Sequence, residues 1–379
     1  MNTFNIQMVD LKKQYQRLKV DIDNSMATIL EDSKFIKGPN TKEFEGELAQ
    51  YLSCNEVIAC ANGTDALQIA LMALDLKPGD EVIVPAFTYV ATAEVIGLLG
   101  LTPVMIDVNP DTFNVNKEQI EEAITDRTKL IVPVHLFGQC TDMEPVMNIA
   151  KRHNLAVVED TAQAIGAKYT FLDGTITRAG CIGNIGTTSF FPSKNLGCYG
   201  DGGAIFSNDS ELGKRLRMIA NHGQAKQYYH DIIGVNSRLD ELQAGILRVK
   251  LKQLDDFEYR RNQVAYFYDK AFSGVNYLQI PKRQANSTHV FHQYTLKIKD
   301  GLRDDLKQYL SEKGIPSMVY YPMPLHHQKA YQQIGKIVGD LRVSTQLCKE
   351  VLSLPIHTEM DDEQLIYITE TIKDFFDGK

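Results

Sequence analysis

Lys194 is the residue of this 379-residue chain whose surroundings first indicate chemistry. It lies in SFFPSKNLGCYGDGG (189–203), where small and turn-forming residues surround a short apolar run. Burial there would disfavour the ammonium form and lower the pKa, and the resulting free amine is a nucleophile towards a carbonyl. A loop lysine with its ammonium group in water is the alternative interpretation.

Two carboxylates stand together in VVEDTAQA (157–164), at the end of a predicted apolar strand. In an open parallel sheet, ligands bind beyond the carboxyl ends of the strands. Glu159 or Asp160 could therefore pair with a cationic nitrogen of a ligand, and Gln163 could reach the same ligand. The alternative is that Asp160 only caps the next helix.

A third segment, NGTDAL (62–67), follows the short apolar strand VIACA and begins a helix. Gly63 permits close approach to the backbone, Thr64 offers a hydroxyl, and the first turn of a helix offers free N–H groups. Together they predict a site for one phosphate group. A capped helix without a ligand remains the alternative.

Together, these three features are the groups that pyridoxal 5'-phosphate (PLP) requires. The cofactor needs a phosphate site, a carboxylate that keeps its pyridine nitrogen protonated, and a lysine that forms a Schiff base with its aldehyde. Their combination on one predicted sheet favours PLP over any single-motif interpretation.

The elements that must position these residues alternate between strand and helix, which predicts an α/β fold with a mainly parallel sheet covered on both faces. The pattern then changes to one long helix over 242–272, followed by short strands and helices. We therefore predict a large domain over 1–250 and a smaller C-terminal α+β domain over 251–379. Strands are predicted at 81–87, 103–108, 129–138 and 155–160, and helices at 64–76, 88–100, 117–125 and 142–154.

Composition argues against several classes of function. The net charge is −8, without a basic block, so a surface for nucleic acid or for an anionic membrane is not expected. The absence of a signal peptide and of a long apolar run predicts a cytoplasmic protein. The six cysteines form no CxxC pair, and nothing completes a site around His326 and His327, so no metal is expected.

Seven motifs together resemble the DegT/DnrJ/EryC1/StrS family of PLP-dependent sugar aminotransferases. This family is a branch of the type I aminotransferase fold, with a large domain built on a mainly parallel seven-stranded sheet and a smaller C-terminal domain. The amino-acid sequence of these motifs is most similar to that of UDP-2-acetamido-2-deoxy-3-oxo-glucuronate aminotransferases. The motifs are NGTDAL, PAFTYVATAE, EDTAQAIGA, SFFPSK, GDGGAIF, GVNSRLDELQA and YYPMPLHHQ.

The resemblance implies a role for each cofactor-binding residue. Lys194 would form the Schiff base and later move a proton between substrate and cofactor. Asp160 would pair with the pyridine nitrogen, and Gln163 would contact the ring hydroxyl. The residues implied in phosphate binding, beside the close approach at Gly63, are Thr64, the Asp65 backbone and Ser189.

Four further roles follow from the resemblance alone. Tyr89 would stack on the cofactor ring. Asn236 would reach the cofactor phosphate of a neighbouring subunit, which implies a homodimer with shared active sites. Arg238 would bind a carboxylate of the sugar or of the amino donor, unless it pairs with a neighbouring acidic residue. The residues implied in the sugar pocket are Tyr320, which stands where the most similar members have histidine, Tyr321 and His326.

The implied activity is transfer of an amino group from L-glutamate to a nucleotide-linked keto sugar, for O-antigen, capsule or other surface polysaccharide synthesis. Another UDP- or dTDP-linked 3-keto or 4-keto sugar is the first alternative. A dehydratase branch of the family has histidine in place of the lysine, so Lys194 argues against it. A non-enzymatic PLP-binding regulatory protein is the remaining alternative.

Overall fold

The computed structural model describes residues 5–378, which contain twelve α-helices and fifteen strands. The helices are α1 (Leu11–Asp32), α2 (Pro39–Leu52), α3 (Gly63–Met72), α4 (Ala91–Leu98), α5 (Lys117–Ala123), α6 (Met143–His153), α7 (Ser210–Ile219), α8 (Glu241–Leu251), α9 (Leu254–Phe272), α10 (Arg303–Glu312), α11 (Arg342–Glu350) and α12 (Asp362–Asp377).

The strands are β1 (Glu56–Cys60), β2 (Glu81–Pro85), β3 (Thr102–Ile106), β4 (Thr128–Ile131), β5 (Ala156–Asp160), β6 (Lys168–Thr170), β7 (Ile176–Arg178), β8 (Ile185–Ser189), β9 (Gly203–Ser207), β10 (Gln224–Lys226), β11 (Tyr229–His230), β12 (Leu278–Gln279), β13 (Tyr294–Ile298), β14 (Lys336–Ile337) and β15 (Val351–Leu354). Single 3-10 turns occur at Leu136–Gly138, Leu325–His327 and Lys329–Tyr331.

The main sheet has eight strands, in the order β1, β9, β8, β5, β4, β2, β3 and β14. Only β9 runs antiparallel to its neighbours; the other pairs are parallel. The predicted mainly parallel α/β sheet is confirmed. It has one strand more than the seven expected, because Lys336 and Ile337 return to pair with Val104 and Met105 on β3.

The centre of the main sheet is buried on both faces. Val82, Ile83 and Val84 on β2 are consecutive and all fully buried, although successive side chains of a strand point to opposite faces. Helices must therefore cover both sides, as a continuous apolar run predicts. With both faces covered, the edge formed by the strands' carboxyl ends is where the sheet can hold a ligand.

Two predicted elements are shorter than the sequence pattern indicated. The strand expected over 129–138 ends at Ile131, and a turn with a left-handed residue at Phe137 (φ 57°) follows. The single helix expected over 242–272 is interrupted at Lys252 and Gln253. The interruption occurs because α8 packs on α1 and α2, whereas α9 continues to pack on α12.

A second, smaller sheet contains the antiparallel strands β12, β13 and β15. Its core is filled by side chains such as Tyr268 of α9 and Leu306 of α10, and Ile6 from the N-terminal arm packs in the same core. The division at residue 250 stays a prediction, and residues 1–4 and 379 of the predicted domains lie outside the described residues. Within residues 5–378, no helix combines the length and apolar character needed to cross a membrane.

Candidate active site

A cavity of about 570 Å3 lies at the carboxyl ends of β5 and β8, beside the first turn of α3. It brings together residues that are far apart in the sequence. Those predicted to bind cofactor or substrate and found in its wall are Gly63, Thr64, Tyr89, Asp160, Gln163, Ser189, Lys194, Tyr320 and Tyr321.

The two neighbouring carboxylates at the end of β5 have different surroundings. Glu159 is fully buried and accepts hydrogen bonds from the backbone N–H groups of Gly180, Ile182 and Gly183, and His135 Nε2 lies 2.9 Å from its Oε2. Asp160 faces the cavity. Adjacent residues of a strand point to opposite faces, so only one of the pair can reach a ligand.

Asp160 is held in place by two donors. Thr92 Oγ1 donates to Oδ2 at 2.8 Å, and the Ala162 N–H donates to Oδ1 at 3.1 Å. Both carboxylate oxygens therefore have a donor, and the orientation of the side chain in the cavity wall is fixed. Thr92 was not predicted, although it lies three residues after Tyr89 in PAFTYVATAE.

Lys194 is presented to the cavity by a tight loop between β8 and β9. The Lys194 N–H donates to the Phe191 carbonyl at 2.8 Å, and a Cβ added at Gly197 would overlap the Pro192 carbonyl. Burial lowers the pKa of the Lys194 amine to about 8, against the opposing effect of the Asp160 carboxylate. Close packing of the chain on itself therefore explains Gly197 in the loop that presents Lys194.

The first turn of α3 and the end of β8 form a narrow corner of the cavity. Asn62 caps α3 by accepting the Asp65 N–H at 2.8 Å, so that N–H already has a partner. A Cβ at Gly63 would lie 2.6 Å from the Ser189 Cβ, so only glycine permits this approach. The corner offers helix N–H groups and the hydroxyls of Thr64 and Ser189, which suits one phosphate. The predicted contact from the Asp65 backbone stays a prediction.

The side chain of Gln163, which also lines this cavity, has a defined orientation. Its Oε1 accepts the Phe137 N–H at 2.8 Å, and its Nε2 lies 3.0 Å from the Tyr321 hydroxyl. Since the Phe137 N–H can only donate, Oε1 must face it and the Nε2 end must face the Tyr321 hydroxyl. Burial raises the pKa of Tyr321, which therefore stays a neutral phenol. Tyr89 lies beside it, with the ring centroids 6.2 Å apart and 57% of Tyr89 exposed.

Three predicted residues lie away from this cavity. Asn236 forms a β-bridge with Asn221, and Arg238 lines a separate cavity with Lys37. His326 lies on another surface, with its Nε2 3.4 Å from Thr345 Oγ1. One chain therefore does not bring these three to Lys194, and their roles stay predictions. No group of His, Cys, Asp and Glu in the described part of the chain is arranged to hold a metal ion.

Sequence reasoning also missed the cavity wall contributed by the segment before β13. His292 and Gln293 lie there, and both are buried. They are nearly a hundred residues beyond Lys194, in VFHQYTLKIK (290–299), which lies in the region where only short strands and helices are predicted. Their only signal was two polar residues inside an apolar run.

The groups of this cavity match those of PLP: a phosphate corner, a fixed carboxylate, an amide donor and a lysine with a lowered pKa. The tight approach of Gly63 to Ser189 supports the fit, because a side chain there would fill the phosphate corner. Fold and site thus define a PLP-dependent aminotransferase of the type I fold.

The chain belongs to the DegT/DnrJ/EryC1/StrS aminotransferase family, whose sequence model matches residues 16–373. It is 46% identical to a protein of Geobacillus stearothermophilus named "Pleiotropic regulatory protein", over 98% of this chain and 99% of that protein. It is 44% identical to UDP-2-acetamido-2-deoxy-3-oxo-D-glucuronate aminotransferase of Pseudomonas aeruginosa, over 94% of this chain and 96% of that protein.

Solved structures agree. The crystal structure of S. venezuelae DesV in complex with a ketimine intermediate is 37% identical and has a TM-score of 0.94, and the alignment covers 99% of each chain. The predicted family, enzyme class and cofactor are therefore confirmed.

Proposed function

We propose that this protein transfers an amino group from L-glutamate to a nucleotide-linked keto sugar, UDP-2-acetamido-2-deoxy-3-oxo-glucuronate in particular. The observation that carries the proposal is the meeting of the Lys194 amine and the Asp160 carboxylate in one cavity. Similarity to the Pseudomonas aeruginosa enzyme supports the choice of sugar.

The chain's own residues divide the work as follows. PLP, when bound, supplies the electron sink for the reaction. Asp160 would hold a proton on the ring nitrogen, and Gln163 Nε2 would donate to the ring oxygen. Thr64 and Ser189 would bind the phosphate, and Tyr89 would cover one ring face. Lys194 would hold the cofactor through its amine and, as a free amine, would move the proton between substrate and cofactor.

The sugar nucleotide needs cations that the cavity of one chain lacks. Lys194 is the only lysine or arginine among the described residues of its wall. A diphosphate and a sugar carboxylate must therefore be met by residues from elsewhere. We propose a homodimer with shared active sites, in which Asn236 of a second copy reaches the cofactor phosphate. Arg238 would bind a carboxylate of the sugar or of the amino donor, since a guanidinium binds carboxylates in a bidentate manner.

We further propose a cytoplasmic enzyme whose amino sugar product enters lipopolysaccharide, O-antigen or another surface polysaccharide. A different UDP- or dTDP-linked 3-keto or 4-keto sugar is the alternative substrate. The lack of a second lysine or arginine in the described cavity wall favours this alternative if Arg238 contacts the amino donor rather than the sugar.

The test has two stages. The visible band of the lysine-bound cofactor is expected to disappear when glutamate is added, with 2-oxoglutarate released. The aminated enzyme is then offered the 3-keto sugar acid and its neutral C6-hydroxymethyl counterpart. Preference for the acid, lost in Arg238→Met and partly kept in Arg238→Lys, supports the proposal. Equal use of both sugars would refute the requirement for a carboxylate, and an unchanged band would refute glutamate as donor.

A further inference from the structure

His292 is a buried histidine in the wall of the cavity that contains Lys194. It is 5% exposed and lies just before β13, on a segment that contributes to the cavity wall. None of the predicted roles includes it.

The segment around His292 is fixed from two sides. Arg261 Nη1 donates to the carbonyls of Phe291 at 3.0 Å and Ile356 at 2.9 Å. Asn195, the residue after Lys194, donates from Nδ2 to the Val290 carbonyl at 2.9 Å. The backbone on either side of His292 is therefore anchored, and one of these anchors joins it to the residue next to Lys194.

Two cations act on the imidazole. Burial, the nearby Lys194 amine and the Arg261 guanidinium hold the pKa of His292 well below its usual range. The ring is therefore neutral at physiological pH, and a neutral imidazole has one nitrogen that accepts a hydrogen bond. It is too weak a base to take the proton from Lys194.

That ring lacks a partner among residues 5–378. No hydrogen bond to either ring nitrogen is found there, and Nδ1 is completely buried without one. Buried polar atoms are nearly always paired, so an unpaired one beside a reactive group needs an explanation. Lys194 is the nearby group that changes its bonding during transamination.

We propose that His292 is a positioning residue whose neutral imidazole accepts a hydrogen bond from the Lys194 ammonium while that amine is not joined to the cofactor. This inference rests on the proposed role of Lys194. The bond would keep the released amine beside the reacting carbon instead of letting it swing to Asp160. Other titratable groups in the same wall are Asp160, Asp201, Tyr89, Tyr320 and Tyr321.

The test measures the pKa of Lys194 directly. Enzyme loaded with pyridoxamine phosphate is treated with acetic anhydride over a range of pH, and acetylation of the Lys194 peptide is followed by mass spectrometry. His292→Phe removes the acceptor, so the midpoint is expected to fall by about one pH unit. His292→Asn offers an amide oxygen and is expected to restore most of the shift. The kcat should fall about tenfold in the first variant, with little change in the KM for glutamate.

His357 provides a matched control. It is buried beside Arg261, has an unpartnered Nε2 and lies outside the cavity wall, so His357→Phe should leave the midpoint unchanged. An unchanged midpoint in His292→Phe, or equal shifts in the Phe and Asn variants, would overturn the inference. If circular dichroism shows that His292→Phe does not fold, His292→Leu replaces it with the same two outcomes.

Failure of the proposed function gives a different result. If Lys194 is not the lysine that binds the cofactor, Lys194→Ala retains the visible band. An unchanged acetylation midpoint removes only the role of His292.

Discussion

Two lysines of this protein have a similarly lowered pKa but differ in their hydrogen bonding. Burial lowers the pKa of both Lys194 and Lys250 to about 8. The Nζ of Lys250 donates to the Gly197 carbonyl at 2.7 Å and lies 4.3 Å from the Tyr199 ring centroid. The Nζ of Lys194 has no hydrogen-bond partner within residues 5–378 and opens into the cavity.

The difference shows that a lowered pKa does not by itself identify a nucleophile. Lys250 stabilises the loop that carries Lys194, because its ammonium group donates to the carbonyl of Gly197 in that loop. Lys194 uses the same physical effect, loss of water, for reactivity. The two lysines differ in that Lys250 has a permanent hydrogen-bond acceptor, whereas Lys194 faces an open cavity.

The largest expected effect comes from removing the free amine. Lys194→Ala should lower turnover by about a thousandfold or more, because both the covalent bond to the cofactor and the proton-transfer base are lost. Its free energy of unfolding should not fall, since the side chain makes no hydrogen bond that the fold needs. Steady-state kinetics and urea denaturation measure the two quantities, and turnover close to wild type would contradict the comparison.

The neighbouring carboxylates extend the comparison. Asp160→Asn should lower the rate by about a hundredfold or more, because an amide does not hold a proton on the ring nitrogen. Glu159→Gln is the matched control. It should instead destabilise the fold by about 2 kcal/mol, since three backbone N–H groups would lose a charged acceptor. If the two variants exchanged these effects, the assignment of the strand's two faces would be wrong.

The smallest effect is expected at the second lysine. Lys250→Met keeps the length of the side chain but leaves the Gly197 carbonyl without its donor, at a cost of about 1–3 kcal/mol of stability. Turnover should fall less than tenfold, through looser placement of Lys194. A loss of turnover as large as in Lys194→Ala, in a variant that still folds, would show that Lys250 takes part in the reaction.

In cofactor-free enzyme, Lys250→Met should also change how the free energy of unfolding depends on pH. Both lysines titrate near pH 8 when folded and near 10.5 when unfolded, so the unfolded chain binds more protons in this window. The contribution of each lysine to the free energy of unfolding therefore rises as the pH increases from 8 to 10.5. Below pH 8 this contribution does not change with pH. Lys250→Met should lower that slope by about 1 kcal/mol per pH unit, as urea titrations at several pH values can measure.

The sequence predicted the parts of the site that local patterns determine. The glycines around Lys194 and the position of Asp160 at the end of an apolar strand are local patterns with a direct physical interpretation. Lys194 and Asp160 both lie in the cavity wall. His292 could not be found in this way, because packing of a distant segment brings it to Lys194. Nor could periodicity show the break at Lys252, since the apolar spacing of α8 and α9 continues through it.

The return of residues 325–341 to the main sheet has a consequence for the order of events during synthesis. Seven of its eight strands are made before residue 250, but Leu325, Tyr331 and Leu341 fill the same core as Val82 and Val84. Until the ribosome has made them, that core has an open apolar side of the kind that promotes aggregation. The core of the main sheet therefore cannot close until residue 341 has been made, although seven of its strands are complete before residue 250.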